Sequence, residues 1–217
     1  MMASGFVPVT ILDDAFADAA AMAAALRPQI RQHPVPQSDP RTRGLMLEAA
    51  GCADLLGLTR TRVPALTGIV SQFARDPQAI YVLALNETPP SSPDIFFMRP
   101  HVDRRWLGDG FGAAPPRWTA VAFLDFPRTG QGGELVVFPR EAFGDGAPVA
   151  REDARATITA AGGRTITPQP GRICHLAGDL PHAVLGYSAA ESDCRRLALV
   201  IAEFTPEGEC APETSYL

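Results

Sequence analysis

From Ile80 onward the chain is a succession of short β-branched and aromatic runs broken by Gly, Pro and Asp clusters, and this spacing constrains the fold more than any other feature. Strands are predicted over residues 81–85, 95–98, 119–126, 134–138, 157–159, 172–176, 183–187 and 197–204. So many short strands following a helical N-terminal third are best accommodated by two packed sheets with helices on one face. The expected fold is therefore mainly β with flanking helices, a double-stranded β-helix of the jelly-roll, cupin-like kind.

The N-terminal third reads differently. A short strand is predicted over residues 6–12, after which Asp13 and Asp14 can cap a helix through the Ala-rich segment to about Leu26. Its apolar face is Ala19, Met22, Ala23 and Leu26, and Pro28 places a boundary at Arg27. Residues 33–43, with Pro34, Pro36 and Pro40, read as a loop. A second helix is predicted over residues 64–74, with Pro64 in its first turn and Leu66, Ile69, Val70 and Phe73 on one side. Residues 108–116 and 142–154, rich in Gly, Pro and charge, read as loops near a site mouth. With no internal repeat and no linker, residues 1–217 are expected to form one domain: a helical support region over 1–78 and a jelly-roll core over 79–205.

Composition removes several function classes. A net charge of −5 and a pI near 5.4 give no basic surface for a phosphate backbone, so no nucleic-acid partner is expected. All 19 basic residues are arginine, which excludes Schiff-base chemistry on lysine and requires that any cation in a site be a guanidinium. Cys52, Cys174, Cys194 and Cys210 show no C-x-x-C spacing and are too sparse for a disulfide scaffold. No apolar run approaches the ~18 residues of a membrane span, and the N-terminus lacks a basic region followed by an apolar stretch. A soluble cytoplasmic protein with no membrane partner is expected.

Candidate chemistry centres on His101-Val102-Asp103, because residues two apart on a strand point to the same side and can offer an imidazole and a carboxylate to one metal. A second imidazole would come from His182, which follows a turn at a strand entrance, or from its rival His175 in the preceding strand; His33 falls in the Pro-rich loop. Two histidines and a carboxylate on one face are the ligand set of non-haem Fe(II) centres, leaving positions for a bidentate 2-oxo acid and then O2. Such a cosubstrate needs a cation at its far end. Arg195 and Arg196 open the last strand, and alternation places Arg196 on one face with the small Ala198 and with Val200. Arg196 is thus the expected carboxylate clamp, and a one-residue change of register would pass that role to Arg195. Arg104, Arg105 and Trp106 directly follow the metal motif and are candidate substrate contacts, with Arg99 and Arg117 flanking them.

Residues 99–204 as a whole resemble the 2-oxoglutarate and Fe(II)-dependent oxygenase superfamily, especially its prolyl-hydroxylase-like branch. The resemblance is carried by an ordered set: the H-x-D motif at 101–103, the strand at 117–125, Gly132-Gly133-Glu134-Leu135, Pro168-Gln169-Pro170-Gly171-Arg172, Leu180-Pro181-His182 and Arg196-Leu197-Ala198-Leu199. It implies that His101, Asp103 and His182 ligate iron and that Arg196 binds the C5 carboxylate of 2-oxoglutarate. It implies oxidation of an unactivated C–H bond, by hydroxylation, desaturation or cyclisation, with release of succinate and CO2. An Asp at the third ligand position argues against a halogenase, which needs that place vacant. Two departures stand out. The stretch 96–100 has no tyrosine where many relatives carry one, Tyr81 being only a distant substitute, and Ala198 replaces a serine. The substrate expected is a small anionic or zwitterionic molecule; a peptidyl residue, a cupin-like metalloprotein without a 2-oxo acid, and a ligand-binding jelly roll with structural histidines are the alternatives.

Overall fold

The computed structural model describes residues 9–30, 41–105, 114–143, 150–190 and 194–206. In chain order they form β1 (Thr10–Leu12), α1 (Ala19–Ile30), β2 (Arg43–Ala50), α2 (Cys52–Arg62), a 3₁₀ turn (Pro64–Leu66), α3 (Thr67–Phe73), β3 (Ile80–Thr88) and β4 (Phe96–His101). There follow β5 (Trp118–Asp125), β6 (Gln131–Gly132), β7 (Leu135–Val137), α4 (Ala154–Ala160), β8 (Arg164–Ile166), β9 (Ile173–Ala177), β10 (His182–Leu185), β11 (Tyr187–Ser188) and β12 (Arg196–Phe204). A six-stranded sheet of order β1-β9-β5-β12-β3-β2 faces a four-stranded sheet of order β4-β10-β7-β8, and β11 pairs with β6 at one end. The strand pairs are antiparallel throughout, giving the double-sheet jelly roll expected from the strand pattern.

Alternation along the strands divides the larger sheet into two chemically distinct faces. Tyr81, Leu83 and Leu85 of β3, Ala120, Ala122 and Leu124 of β5, and Leu197, Leu199 and Ile201 of β12 pack against Leu26, Leu55, Leu66 and Ile69 of the helical layer. The other face turns Val121, Phe123, Cys174 and Leu176 toward Leu135, Val137 and Ile166 of the smaller sheet and toward Leu180 in the turn before β10. Behind that sheet, Ala154 and Ile158 of α4 cover Phe96, Val136, Phe138, Ala183 and Leu185. Truncating any one of the fully buried leucines of the first layer should cost about 2–5 kcal/mol.

Several local expectations are corrected. Residues 157–159 are helical, because Ala154 and Ile158 stand one turn apart and bury a single stripe, whereas the alternate positions Thr157 and Thr159 have no sheet to join. Helix α1 begins at Ala19 and runs through Pro28 to Ile30. Its first turn is capped by Asp18, whose Oδ1 accepts the Ala21 N–H at 2.9 Å, after left-handed turns at Asp14 and Asp18 (φ 51° and 54°). The segment expected to be helical support also contributes β1 and β2, the two edges of the six-stranded sheet. Among the described residues no helix is long and apolar enough to cross a membrane.

Candidate metal centre and carboxylate clamp

β4 and β10 are neighbours in the smaller sheet, and their register sets His101 opposite His182. Irregular pairing between His182 and Leu185 lets the two rings incline toward each other, with centroids 4.5 Å apart. Asp103, two residues beyond His101, places Oδ1 3.5 Å from His101 Nε2 and Oδ2 3.7 Å from His182 Nε2. One ligand atom from each residue lies within 4.8 Å of the other two.

The hydrogen bonds around this cluster fix which atoms face it. His101 Nδ1 lies 2.8 Å from the Arg99 carbonyl and His182 Nδ1 3.1 Å from the Leu180 carbonyl. A carbonyl oxygen can only accept, so each Nδ1 carries its proton and each Nε2 turns a lone pair to the common centre. The Thr119 hydroxyl on β5 donates to Asp103 Oδ2 at 2.8 Å, orienting the carboxylate. Burial alone would raise the Asp103 pKa, but the His182 and His101 imidazoles and the Thr119 hydroxyl outweigh it and hold the carboxyl well below its usual range. Burial lowers the pKa of His182, keeping it neutral and able to ligate. At His101 burial acts the same way, but the Asp103 carboxylate and hydrogen bonds overcome it and raise the pKa. Two imidazoles and an ionised carboxylate, each oriented by a second partner and separated by more than a good hydrogen bond, suit a divalent metal such as iron.

A cavity of about 600 Å³ opens from this cluster between the sheets, and Arg196 lines it from β12. Its register partners set its neighbours: Arg196 lies opposite Thr88 and Ala198 opposite Asn86 on β3. Arg196 is buried, with Nε donating to Thr88 Oγ1 at 3.1 Å and Nη1 to the Gly133 carbonyl at 3.2 Å. The rings of Phe97 and Tyr187 stand 5.8 and 5.7 Å from its Cζ. Burial lowers its pKa to about 10, so it remains a cation at neutral pH. Among the described residues no carboxylate pairs with it. A buried guanidinium without an anion is costly, and a ligand carboxylate would relieve that cost. The rest of the wall is mostly apolar, including Ala84, Val121, Phe123, Leu135, Val184 and Val200, with Asn86 and Thr42 as uncharged polar exceptions. The Thr42 hydroxyl has no hydrogen-bond partner among the described residues.

The remaining candidates separate clearly. Arg195 does not line the cavity and donates to the Arg41 carbonyl at 2.7 Å, so of the pair Arg196 is the one that faces the cavity. His175 lies on the helical side of β9, against the Trp118 ring at 5.2 Å and the Phe73 ring at 6.0 Å, away from the metal cluster. Arg104 is at the cavity wall and exposed, whereas Arg105 reaches across to Glu48 on β2, with Nη2 2.6 Å from Oε1. Arg99 is exposed, and Arg117 pairs with Asp76 at 2.7 Å. Trp106 and His33 lie outside the described residues. Tyr81 is buried on the helical side, its hydroxyl donating to Glu203. Where a tyrosine is absent before His101, Phe97 offers an apolar face to Arg196 instead. Thr88, Thr119 and Tyr187 carry no local sequence signal, because their roles depend on pairing between strands distant in sequence.

No protein-family model matches this sequence, and no curated protein sequence matches it. Among solved structures it is similar to a Pseudomonas putida prolyl-4-hydroxylase, with 18% identity and a TM-score of 0.50 over 92% of this chain and 93% of that one. It is similar to the dioxygenase for auxin oxidation of rice, with 13% identity and a TM-score of 0.55 over 93% and 74% of the two chains. It is likewise similar to the corresponding Arabidopsis thaliana dioxygenase in complex with 2-oxoglutarate, with 10% identity and a TM-score of 0.55 over 94% and 85%. At these identities the likeness is one of fold. The chain has the jelly-roll fold of the 2-oxoglutarate and Fe(II)-dependent oxygenases.

Proposed function

We propose that the protein is a 2-oxoglutarate and Fe(II)-dependent oxygenase that hydroxylates an unactivated C–H bond of a small molecule. One observation carries this reading: a two-histidine, one-carboxylate cluster lines the same cavity as a buried arginine that has no carboxylate partner among the described residues. His101, Asp103 and His182 are the residues that would hold iron, through both Nε2 atoms and the Asp103 carboxylate. Arg196 would receive the far carboxylate of 2-oxoglutarate by charge-assisted hydrogen bonds. The Thr88 hydroxyl, which already accepts from Arg196 Nε, keeps its own proton for the same carboxylate and takes the place left by Ala198.

Fe(II) and 2-oxoglutarate, when bound, supply the activation of O2, with loss of CO2, formation of succinate and oxidation of a C–H bond. The protein's own contribution is position and exclusion. The carbonyls of Arg99 and Leu180 hold the imidazole tautomers, Thr119 holds the carboxylate, and the apolar walls keep bulk water from the reacting atoms. The substrate would lie against Ala84, Met98, Val102 and Val200, with Asn86 as an uncharged polar group and Arg104 adding positive charge to the edge of the wall, which an anionic group would complement. That lining favours an apolar molecule carrying a carboxylate, of free or zwitterionic form. Among the described residues the lining carries no acidic side chain besides Asp103, which disfavours a cationic substrate.

The test is succinate formation by anaerobically purified, Fe(II)-loaded protein given 2-oxoglutarate and O2, alone and with a panel of amino acids and apolar carboxylic acids. Wild type should form succinate slowly alone and faster with a substrate, and both Asp103→Ala and His182→Ala should reduce this to background. Full turnover in Asp103→Ala would remove it from the ligand set. Failure of wild type to bind 2-oxoglutarate in the presence of metal would overturn the reading.

A further inference from the structure

We propose that Tyr187 is a positioning residue for the 2-oxo acid, its hydroxyl tying Arg196 to Thr88 so that both present their polar atoms to one carboxylate. This deepens the reading of the site given above and rests on it. Arg196 and Thr88 are register partners at the end of the β12–β3 ladder. The Tyr187 hydroxyl bridges them: it accepts the Arg196 backbone N–H at 2.9 Å and donates to the Thr88 carbonyl at 2.7 Å. The Cys194 carbonyl, at 3.1 Å, is the more distant acceptor for the same single proton.

The ring of Tyr187 works toward the same end. Its centroid lies 5.7 Å from Arg196 Cζ, and it packs on Phe126 at 5.4 Å between centroids. Phe126 in turn crowds Gly133, where φ is 77° and a Cβ would stand 2.6 Å from the Phe126 ring. Gly133 is the residue whose carbonyl holds Arg196 Nη1. Backbone, ring and glycine carbonyl therefore converge on one guanidinium. Packing alone would be served by phenylalanine, as at the fully buried Phe96 and Phe138 of the smaller sheet and its flank. A buried hydroxyl is costly unless its hydrogen bonds are used. Both of the shorter bonds made by this one go to residues of the clamp.

A loosened link would let the start of β12 shift against β3, which misaligns Arg196 and Thr88 for a distant carboxylate but leaves the metal cluster on β4 and β10 untouched. The experiment measures, by calorimetry on the Mn(II)-loaded full chain, binding of 2-oxoglutarate and of 2-oxobutanoate, which has the same 2-oxo acid head and no second carboxylate. Tyr187→Phe should weaken 2-oxoglutarate binding roughly tenfold, with Mn(II) and 2-oxobutanoate affinities unchanged. In an Arg196→Ala background the same substitution should have no further effect, since its target is gone. Unchanged 2-oxoglutarate affinity overturns the inference. So does an equal loss for both acids, or loss of Mn(II) binding, either of which makes Tyr187 a general structural residue. If wild type fails to prefer 2-oxoglutarate over 2-oxobutanoate, the clamp itself is wrong, and that result is distinct because it appears before any substitution.

Discussion

Strand β12 carries two buried charges, Arg196 and Glu203, on opposite faces of one sheet, and they are treated in opposite ways. Glu203 faces the helical layer. Its Oε2 accepts from the Tyr81 hydroxyl at 2.8 Å, and Arg117, itself bonded to Asp76, stands 3.5 Å from Oε1. Arg196 faces the cavity and has a hydroxyl, a carbonyl and two aromatic rings, but among the described residues no carboxylate. The helical-face charge is satisfied by the protein, as a structural ion must be, whereas the cavity-face charge is incomplete without a ligand. Burial is shared by both; completeness separates them. The same criterion distinguishes Arg27 in α1, which bridges Glu87 and Asp125 and so joins helix to sheet, from Arg196 close by on the other side.

Replacing Arg196 with methionine gives the largest expected effect on this contrast. Metal-dependent binding of 2-oxoglutarate should fall by about 100-fold or more, since a desolvated charge–carboxylate contact is lost. In the absence of ligand the melting temperature should stay level or rise, because an unpaired buried cation is removed. A marked fall in ligand-free stability would show that Arg196 is as structural as Glu203. Glu203→Ala is the converse. It removes the nearer acceptor of the Tyr81 hydroxyl, leaving that proton the Asp76 carbonyl at 3.3 Å, and weakens the hold on Arg117, so unfolding free energy should drop by about 1–3 kcal/mol, while 2-oxoglutarate affinity of the folded fraction is unchanged. Denaturant unfolding alongside calorimetry separates the two outcomes.

The contrast also explains what could be read from the sequence. β3, β5, β9 and β12 announce themselves as β-branched runs bounded by turn residues. Alternation along β12 was enough to put Arg196, and not Arg195, on the side of Ala198 and Val200. β2 is hidden because its residues 43–50 include Gly44, Ala49 and Ala50 and no β-branched side chain. It is a strand because β3 pairs with it along its full length. α2 is hidden for a related reason: only Leu55 and Thr59 of its residues are buried, with Gly57 between them, so no apolar stripe marks it. Residues 157–159 look β-branched but are decided by Ala154 and Ile158 packing on the smaller sheet. His101 and Asp103 form a local motif and His182 stands out at a strand entrance, but the β4–β10 register is what sets it opposite His101. The hydroxyls of Thr88, Thr119 and Tyr187 depend on cross-strand register, which no local pattern encodes.

Thr119 sharpens the comparison most finely, because it is a cavity-face residue satisfied in the manner of the helical face. It is buried, and its hydroxyl is spent on Asp103 Oδ2. Valine matches its shape and removes only the hydroxyl, so Thr119→Val leaves the carboxylate free to turn away from the line set by His101 and His182. Metal affinity should weaken by roughly tenfold, the lower end of the range for lost outer-shell partners, and Thr119→Ser should restore most of it. The preference for 2-oxoglutarate over 2-oxobutanoate should not change, since Thr88 and Arg196 lie elsewhere on the sheet. Affinity equal to wild type in Thr119→Val would mean that the backbone after β4 alone orients Asp103, and that an already satisfied hydroxyl on this face can be as purely structural as Tyr81 on the other.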